Sequence, residues 1–476
     1  MNVKKILDSS ILTSWFNSII LLLNSFVILF HVITSWSQDI SNIWFLFFSV
    51  VGFSQIVIFG FAGTFTRFIS YSYAGVSIGD FKNIKEIKNL TPNSKFNIKE
   101  ISQIIGLLRF IYIFITLIFL LFALVIGYFS LQKPLSIIEN SDLIYLAGLI
   151  VLSTSSLNIY LSSGQLILNG LSKVAVVQKI MSVVNIFGFF VILISINIYG
   201  ELISIIIVQQ SITTIAMFFV FIYSKYCLKT LKITKIKMRY DKNIFIHIYD
   251  SAWKSGVSSL SATVVKNTPS ILAVQYFPVE QSVIFQFTKR IFDIFEQFIS
   301  LSMTARVPDL AILRGSGKLN EFTIHFRETQ NICYVIFLLG YFALAVLGNK
   351  FLDLIGSNLE LGSLALLILF AFNTILSRWG AMTHVATNMG NNVIEHKTGT
   401  ISLIAFIVSV VFFLNTISDP NILVLSLIIA QLSTIPFIVK YSYISMKTSF
   451  YKHERNMLFK YLLILFFINV VFVTFL

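Results

Sequence analysis

The sequence predicts an all-α polytopic membrane protein: two lobes of six transmembrane helices related by a pseudo-twofold axis normal to the membrane, followed by one or two extra C-terminal helices. Three observations predict it. Hydrophobic residues make up 56% of the 476 positions and mean hydropathy is +0.85, far above a soluble domain. Apolar stretches of membrane-spanning length recur from end to end with only short connections between them. The cations of those connections are sorted by side. Of the 35 Lys and Arg residues, eight lie in or at the ends of apolar stretches: Arg67, Arg109, Lys254, Lys266, Lys289, Arg290, Arg306 and Arg378. All but Lys133 and Lys350 of the remainder fall on every second connection. Lys and Arg resist translocation, so the rich side is cytoplasmic.

Spans are expected at 11–35, 43–70, 102–128, 142–168, 176–197, 200–224, 248–277, 281–307, 329–348, 362–388, 394–415, 420–444 and 457–476. The first follows Lys4 and Lys5 and imitates a signal peptide. It is too long and lacks a small-residue cleavage site, so it reads as an uncleaved span with a cytoplasmic N-terminus. It carries a polar stripe of Ser10, Thr13, Asn17, Asn24 and His31, read as a cavity wall. The second runs inward to Arg67. The fourth carries Ser155, Asn158, Ser162, Gln165 and Asn169 at helical spacing, read as interhelical hydrogen bonding. Basic connections lie at 82–99, 173–179, 225–242, 314–327, 395–397 and 440–455, while outer ones such as 35–42, 195–201 and 416–420 are nearly free of cations.

The most basic connection follows the sixth span and reads as a linker. The expected organisation is an N-lobe at 1–224, a cytoplasmic linker at 225–245, a C-lobe at 246–446 and an additional helix at 447–476. The halves echo each other. Arg67 ends the second span and Arg306 the eighth; Asn169-Gly170 closes the fourth and Asn388-Met389-Gly390 the tenth. Six spans per repeat preserve orientation, so the repeat is parallel.

Charge concentrates in the second half. A charged side chain at mid-bilayer costs roughly 2.5–3.5 kcal/mol on insertion scales. The eighth span nonetheless holds Lys289, Arg290, Asp293 and Glu296. With Ser282, Gln286, Ser300 and Thr304, the residues Lys289, Asp293 and Glu296 recur at three or four and share one helical face. The seventh span presents Ser251, Lys254, Ser255, Ser258, Ser259, Ala262 and Lys266. Lys266 and Arg290 flank the Pro278 turn at equal distance, about 18 Å from it at helical rise and so near the midplane. Lys289 with Asp293 is an i,i+4 pair, and Lys266 can reach Glu296. Even so, the cations of these two spans outnumber Asp250, Asp293 and Glu296. The surplus points to a cavity for an anion. Arg67 and Arg306, near the interface, can also snorkel.

These features exclude several classes. The net charge of +14 follows from the positive-inside bias and attraction to anionic lipid, not from nucleic-acid binding. Cys227 and Cys333 give no disulfide framework, and the six His residues show no metal-ligand spacing. No soluble domain or large outer loop is present for a polymerase or ligase, and no filter-like repeat suggests a channel.

Several short motifs carry a resemblance over nearly the whole chain. Asn42-Ile43-Trp44-Phe45-Leu46 opens the second span, followed by Gly52, Gly60-Phe61-Ala62-Gly63 and Arg67. Ala252-Trp253-Lys254-Ser255-Gly256-Val257 opens the second lobe, and Arg306-Val307-Pro308-Asp309-Leu310 precedes Gly315 and Gly317. With two polar-led lobes, these resemble the MOP exporter superfamily, with its MATE-like fold, and within it the Wzx-type flippases of polysaccharide repeat units. An odd span count departs from that pattern.

The resemblance implies a non-enzymatic flippase in the bacterial inner membrane. It would move undecaprenyl-pyrophosphate-linked oligosaccharide to the outer leaflet for O-antigen or capsule synthesis by alternating access. It also implies a cavity lined by spans 1, 2, 7 and 8. Lys266, Lys289, Arg290 and Arg378 are the candidates for the head group, with Arg67 and Arg306 beside them. Asn17, Asn24, Ser258 and Thr263 are candidates for glycan contacts. Asp293 and Glu296 carry a coupling proton or sodium ion, or hold the cations in place. Neither a cofactor nor a catalytic residue is implied. The implied partners are the lipid-linked glycan, membrane lipid, a polysaccharide polymerase and a chain-length regulator, around a monomer. A lipid II flippase fits the same cations; a drug/cation antiporter fits them poorly.

Overall fold

The computed structural model describes residues 10–73, 98–135, 141–233, 236–315, 318–388, 395–417, 419–446 and 448–475. Lys4, Lys5, most of the 82–99 connection, Gly317, Met389 and Gly390 lie outside them. The described residues form thirteen helices. They are α1 (Ser10–Ser35), α2 (Gln38–Tyr73), α3 (Ile98–Leu135), α4 (Ser141–Gly170), α5 (Val174–Ile198), α6 (Leu202–Thr230), α7 (Lys242–Tyr276), α8 (Val279–Gly315), α9 (Leu319–Leu354), α10 (Leu364–Asn388), α11 (Glu395–Leu414), α12 (Asn421–Met446) and α13 (Thr448–Phe475).

Each corresponds to an expected span, but several are longer. α8 has 37 residues and α3 has 38, about 56 Å at helical rise. Hydrocarbon is about 30 Å thick, so such helices run past it at their ends. Nine helices among the described residues are long and apolar enough to cross a membrane; α7 and α8, which hold the midplane charges, are not among them. Leu121, Val183, Phe187, Leu339, Phe412 and Phe466 are each at least half exposed, an outer surface suited to lipid.

Tight turns join the helices. α4 ends with Ser172 at φ 59° and α6 with Lys232 at φ 60°. In both, the next residue's N–H reaches back to the helix (Lys173 to the Leu168 carbonyl, Ile233 to that of Leu228), which is the Schellman arrangement. Gly200 and Gly356 occupy the same left-handed region after α5 and α9. Pro278 sits immediately before α8, where a missing N–H costs nothing. Pro269 lies inside α7 and removes one helical hydrogen bond three residues beyond Lys266.

The chain divides into two compact units. One comprises Met1–His31 and Val50–Leu260, the other Val32–Ser49 and Ser261–Leu476. In the first, small residues let backbones approach. Gly164 of α4 meets Phe221 of α6, and Gly188 of α5 meets Ile212. The polar stripe of α1 is sealed against α5. Asn17 donates to Gln178 at 3.0 Å, accepts from Asn185 at 3.0 Å, and Asn24 donates to the Asn185 carbonyl at 3.1 Å. His31 bonds the Gly200 carbonyl at 2.8 Å.

The second unit has an aromatic core. Phe285 and Phe292 of α8 pack on Phe370 of α10, the latter pair stacked at 5.3 Å. α13 is fastened by Tyr341 donating to Asn469 and by Tyr461 donating to Asn331 at 2.6 Å. The turn around residues 33–36 belongs here because the 355–363 loop holds it. Asn358 donates its backbone N–H to the Ile33 carbonyl at 2.6 Å and its amide to the Thr34 and Trp36 carbonyls. Cys227 and Cys333 are free, buried and in different units.

Gly164 gives the packing test. A Cβ there would lie 2.6 Å from the Phe221 Cα, a backbone atom that cannot rotate away. Gly164→Ala is expected to destabilise the protein by about 1–3 kcal/mol. Gly63→Ala, with open space around its Cβ, should be neutral. Thermal unfolding of the two variants in detergent checks the contrast.

Candidate functional site

Within the second unit, α7, α8 and α10 bring four cations and two carboxylates together. The helical period places Lys289, Asp293 and Glu296 on successive turns of one face of α8. Lys289 Nζ reaches Asp293 Oδ2 at 2.9 Å, the i,i+4 pair expected from the spacing. Lys266 Nζ of α7 lies 3.1 Å from Asp293 Oδ1 and 3.6 Å from Glu296 Oε2. Arg378 of α10 closes the row: Nη2 is 3.5 Å from Glu296 Oε2, and Nη1 donates to Ser300 Oγ at 2.7 Å. The result is a ladder running Lys289, Asp293, Lys266, Glu296, Arg378. The carboxylates are largely buried and the Lys266 side chain is about half exposed.

Arg290 stands apart from the ladder. It is buried, at 5% exposure, yet no carboxylate among the described residues lies within ion-pair distance. Its guanidinium lies 3.8 Å from the ring centroid of Phe48, and its Nε has no hydrogen-bond partner. An arginine plane suits an aromatic face better than an ammonium does. Counting Arg290, the cluster holds Lys266, Lys289, Arg290 and Arg378 against Asp293 and Glu296. It is therefore positive by two charges in a region where unpaired charge is expensive.

A neutral polar patch continues the same face of α8. Ser282 donates to Asn42 Oδ1 at 2.9 Å, and the Gln286 amide donates to the same oxygen. Gln286 Oε1 is buried without a partner. Two residues beyond Gln286, on a different side of α8, Thr288 accepts the Gly362 N–H at 2.9 Å, tying α8 to the loop before α10.

Lys266, Lys289, Arg290, Arg378, Asp293 and Glu296 thus form one cluster. The remaining expected site residues lie elsewhere. Arg306 is 3.9 Å from Glu328 and partly exposed. Arg67 belongs to the first unit, is exposed, and bonds the Gly63 carbonyl through Nε at 3.3 Å. Ser258 and Thr263 are half-buried on α7, the first in one unit and the second in the other. Asn17 and Asn24 spend their amides on α5. Phe48 was not legible as a site residue. It is one of 48 phenylalanines, and its only signal is the distant Arg290. No group of three His, Cys, Asp or Glu among the described residues could hold a metal ion.

No protein-family model and no curated protein matches the chain. Solved structures do. A multidrug-resistance MATE family transporter of the MOP superfamily, inward-facing, aligns with TM-score 0.61 and 13% identity over 94% of this chain and 95% of its own. A MOP superfamily transporter from Pyrococcus furiosus, described for the reversed polarity of its binding pocket, aligns with TM-score 0.59 and 14% identity over 93% and 98%. Lipid II flippase MurJ, inward closed, aligns with TM-score 0.58 and 17% identity over 97% of both chains. The chain is a multi-pass membrane protein with the all-α fold of the MOP transporters.

The ladder makes a stability prediction. Asp293 binds two ammonium groups at 2.9 and 3.1 Å, whereas the contacts of Glu296 are 3.5 and 3.6 Å. Asp293→Asn leaves two lysines facing each other. It is expected to cost roughly 2–4 kcal/mol, toward the low end because Lys266 is half exposed and its charge is screened. Glu296→Gln should cost less. Unfolding temperatures in detergent would show the reverse order if the longer contacts were the stronger ones.

Proposed function

We propose that this chain is a flippase for undecaprenyl-pyrophosphate-linked oligosaccharide, carrying repeat units from the inner to the outer leaflet of the bacterial inner membrane for surface polysaccharide synthesis. The observation that carries the reading is the surplus of positive charge on α7, α8 and α10, with no carboxylate among the described residues within ion-pair distance of Arg290. A pyrophosphate supplies the missing anion. Lys266, the exposed member, meets it first, and Arg290 offers a planar fork matched to phosphate oxygens. Lys289 and Arg378 already share their charge with carboxylates and add to the field.

In this reading Asp293 and Glu296 hold the lysines and arginine in place, since each contacts two cations; the cycle runs with proton or sodium coupling and no other cofactor. Ser258 and Thr263 offer hydroxyls to sugar. Contacts from Asn17 and Asn24 require those amides to leave Gln178 and Asn185. Arg67 and Arg306 serve nearer the cytoplasmic ends. The lobes at 1–224 and 246–446 alternate access about the linker, the N-terminus is cytoplasmic, and the chain works as a monomer alongside a polymerase and chain-length regulator. No bond of the substrate is made or broken, so the protein is a transporter and not an enzyme.

Lipid II carries the same diphosphate, and the fold likeness to a lipid II flippase supports that second reading equally. A cationic drug does not complement the cluster.

Deletion in the native host should abolish the surface polymer and accumulate lipid-linked units in the inner leaflet. Loss of cell-wall synthesis instead would favour lipid II. An intact polymer with new sensitivity to cationic toxins would overturn both. Arg290→Ala, Lys289→Ala and Lys266→Ala should each reduce export about tenfold or more while the protein still folds. Arg290→Lys should rescue poorly, because an ammonium neither stacks flat on Phe48 nor forks. Charge reversal at Arg67 should be milder than at Arg290.

A further inference from the structure

A second concentration of cations lies wholly within the first unit, far from α8 in sequence. The linker between α6 and α7 folds back onto the start of α3 and encloses a pocket of about 480 Å³. Lys99, Ser102 and Gln103 of α3 line one side, and Lys232, Lys237 and Arg239 of the linker line the other. The single acid, Asp241, is already engaged. It caps α7 through the Ile244 N–H at 3.3 Å and lies 3.9 Å from Arg239. Lys99, Lys232 and Lys237 have no carboxylate partner among the described residues.

The pocket is built, not a loose basic loop. Gly106 of α3 touches the linker so closely that a Cβ there would overlap the Lys237 carbonyl oxygen at 2.3 Å. Tyr240 packs at a tilt against Phe110 of α3 and Phe245 of α7, with ring centroids at 6.3 and 5.1 Å. Backbone contact and aromatic packing therefore fix where Lys237 and Arg239 stand. Lys232 adds a second kind of observation. It holds φ 60° at the end of α6, a left-handed conformation that is unfavourable for a non-glycine residue. Glycine is the usual occupant of that position. A lysine there lines the pocket against the backbone's preference.

The occupant's chemistry follows from the walls. Four cations with hydroxyl and amide donors suit a phosphate ester. Ile98 lines the pocket and is more than 40% exposed, as are Met238 and Tyr240, which follow Lys237 and Arg239 in the chain. Cations alternating with exposed apolar and aromatic side chains at the ends of membrane helices match the head-group layer of a bilayer, not a soluble anion. We propose that this pocket binds the phosphate of an anionic phospholipid and so anchors the linker to one membrane face. The inference does not rest on the transport reading.

Native mass spectrometry of the delipidated full chain, titrated with phosphatidylglycerol or phosphatidylcholine, tests it. Wild type should retain phosphatidylglycerol selectively. Each cation removed should weaken retention roughly fivefold, the equivalent of about 1 kcal/mol per basic residue. Lys237→Ala with Arg239→Ala should therefore lose about 25-fold. The same net charge removed outside the pocket, by Lys225→Ala with Lys318→Ala, should leave retention unchanged. Lys232→Gly separates binding from folding: it relieves the left-handed strain, so the protein should unfold at an equal or higher temperature while holding the lipid about fivefold less well. Equal losses in the pocket and control pairs would overturn the proposal, as would full retention in Lys232→Gly. Stabilisation by glycerol phosphate with none from phosphatidylglycerol would assign the pocket to a soluble anion and overturn the lipid.

Discussion

The ion ladder on α7, α8 and α10 is the constraint that organises the second unit. With the neighbouring Arg290 it gathers six charges on helices of a membrane protein, where no charge is dehydrated alone without cost. Lys289 and Asp293 solve part of the problem within α8, but Lys266 must come from α7 and Arg378 from α10. Those three helices therefore have to converge at one level. Such clusters rarely add net stability over an apolar replacement of the same shape. A ladder that also leaves Arg290 on the face of Phe48, with no carboxylate among the described residues within ion-pair distance, is hard to account for as scaffolding. That imbalance is the physical ground for reading the cluster as a place for an anion.

The surrounding packing holds the ladder's geometry. Flanking the charged face of α8, Phe285 and Phe292 pack on Phe370, which sets the rotation of α8 against α10. Thr288 and Gly362 tie α8 to the loop before α10, and Asn42 draws Ser282 and Gln286 toward the start of α2. Asn358 fastens the turn around residues 33–36 to the loop between α9 and α10. Phe48, six residues along α2 from Asn42, lies under Arg290 in the same unit as these contacts.

The linker obeys the same logic at another depth. Its cations are expected from the positive-inside bias alone, and most such residues are merely solvated. Gly106 and Tyr240 change that for Lys237 and Arg239 by pressing the linker onto α3. A charge bias that sets topology thus becomes a shaped pocket through two close contacts.

What the sequence determined by itself is what depends on local period and bulk transfer free energy. The thirteen apolar stretches are helices among the described residues, several longer than expected, and nine of them are long and apolar enough to cross a membrane. The Lys289–Asp293 pair follows from 3.6 residues per turn, and Lys266 comes level with this part of α8 because it and Arg290 lie equally far from the Pro278 turn. The partners that only the tertiary structure decided are those distant along the chain. Arg378 on Glu296, Phe48 under Arg290, Gln178 and Asn185 on Asn17, and Lys237 on Gly106 all depend on which helix faces which. In a chain this rich in phenylalanine and serine, many faces look alike, because lipid and protein interior are equally apolar. Hydropathy therefore says that a helix crosses, and close packing decides what it meets.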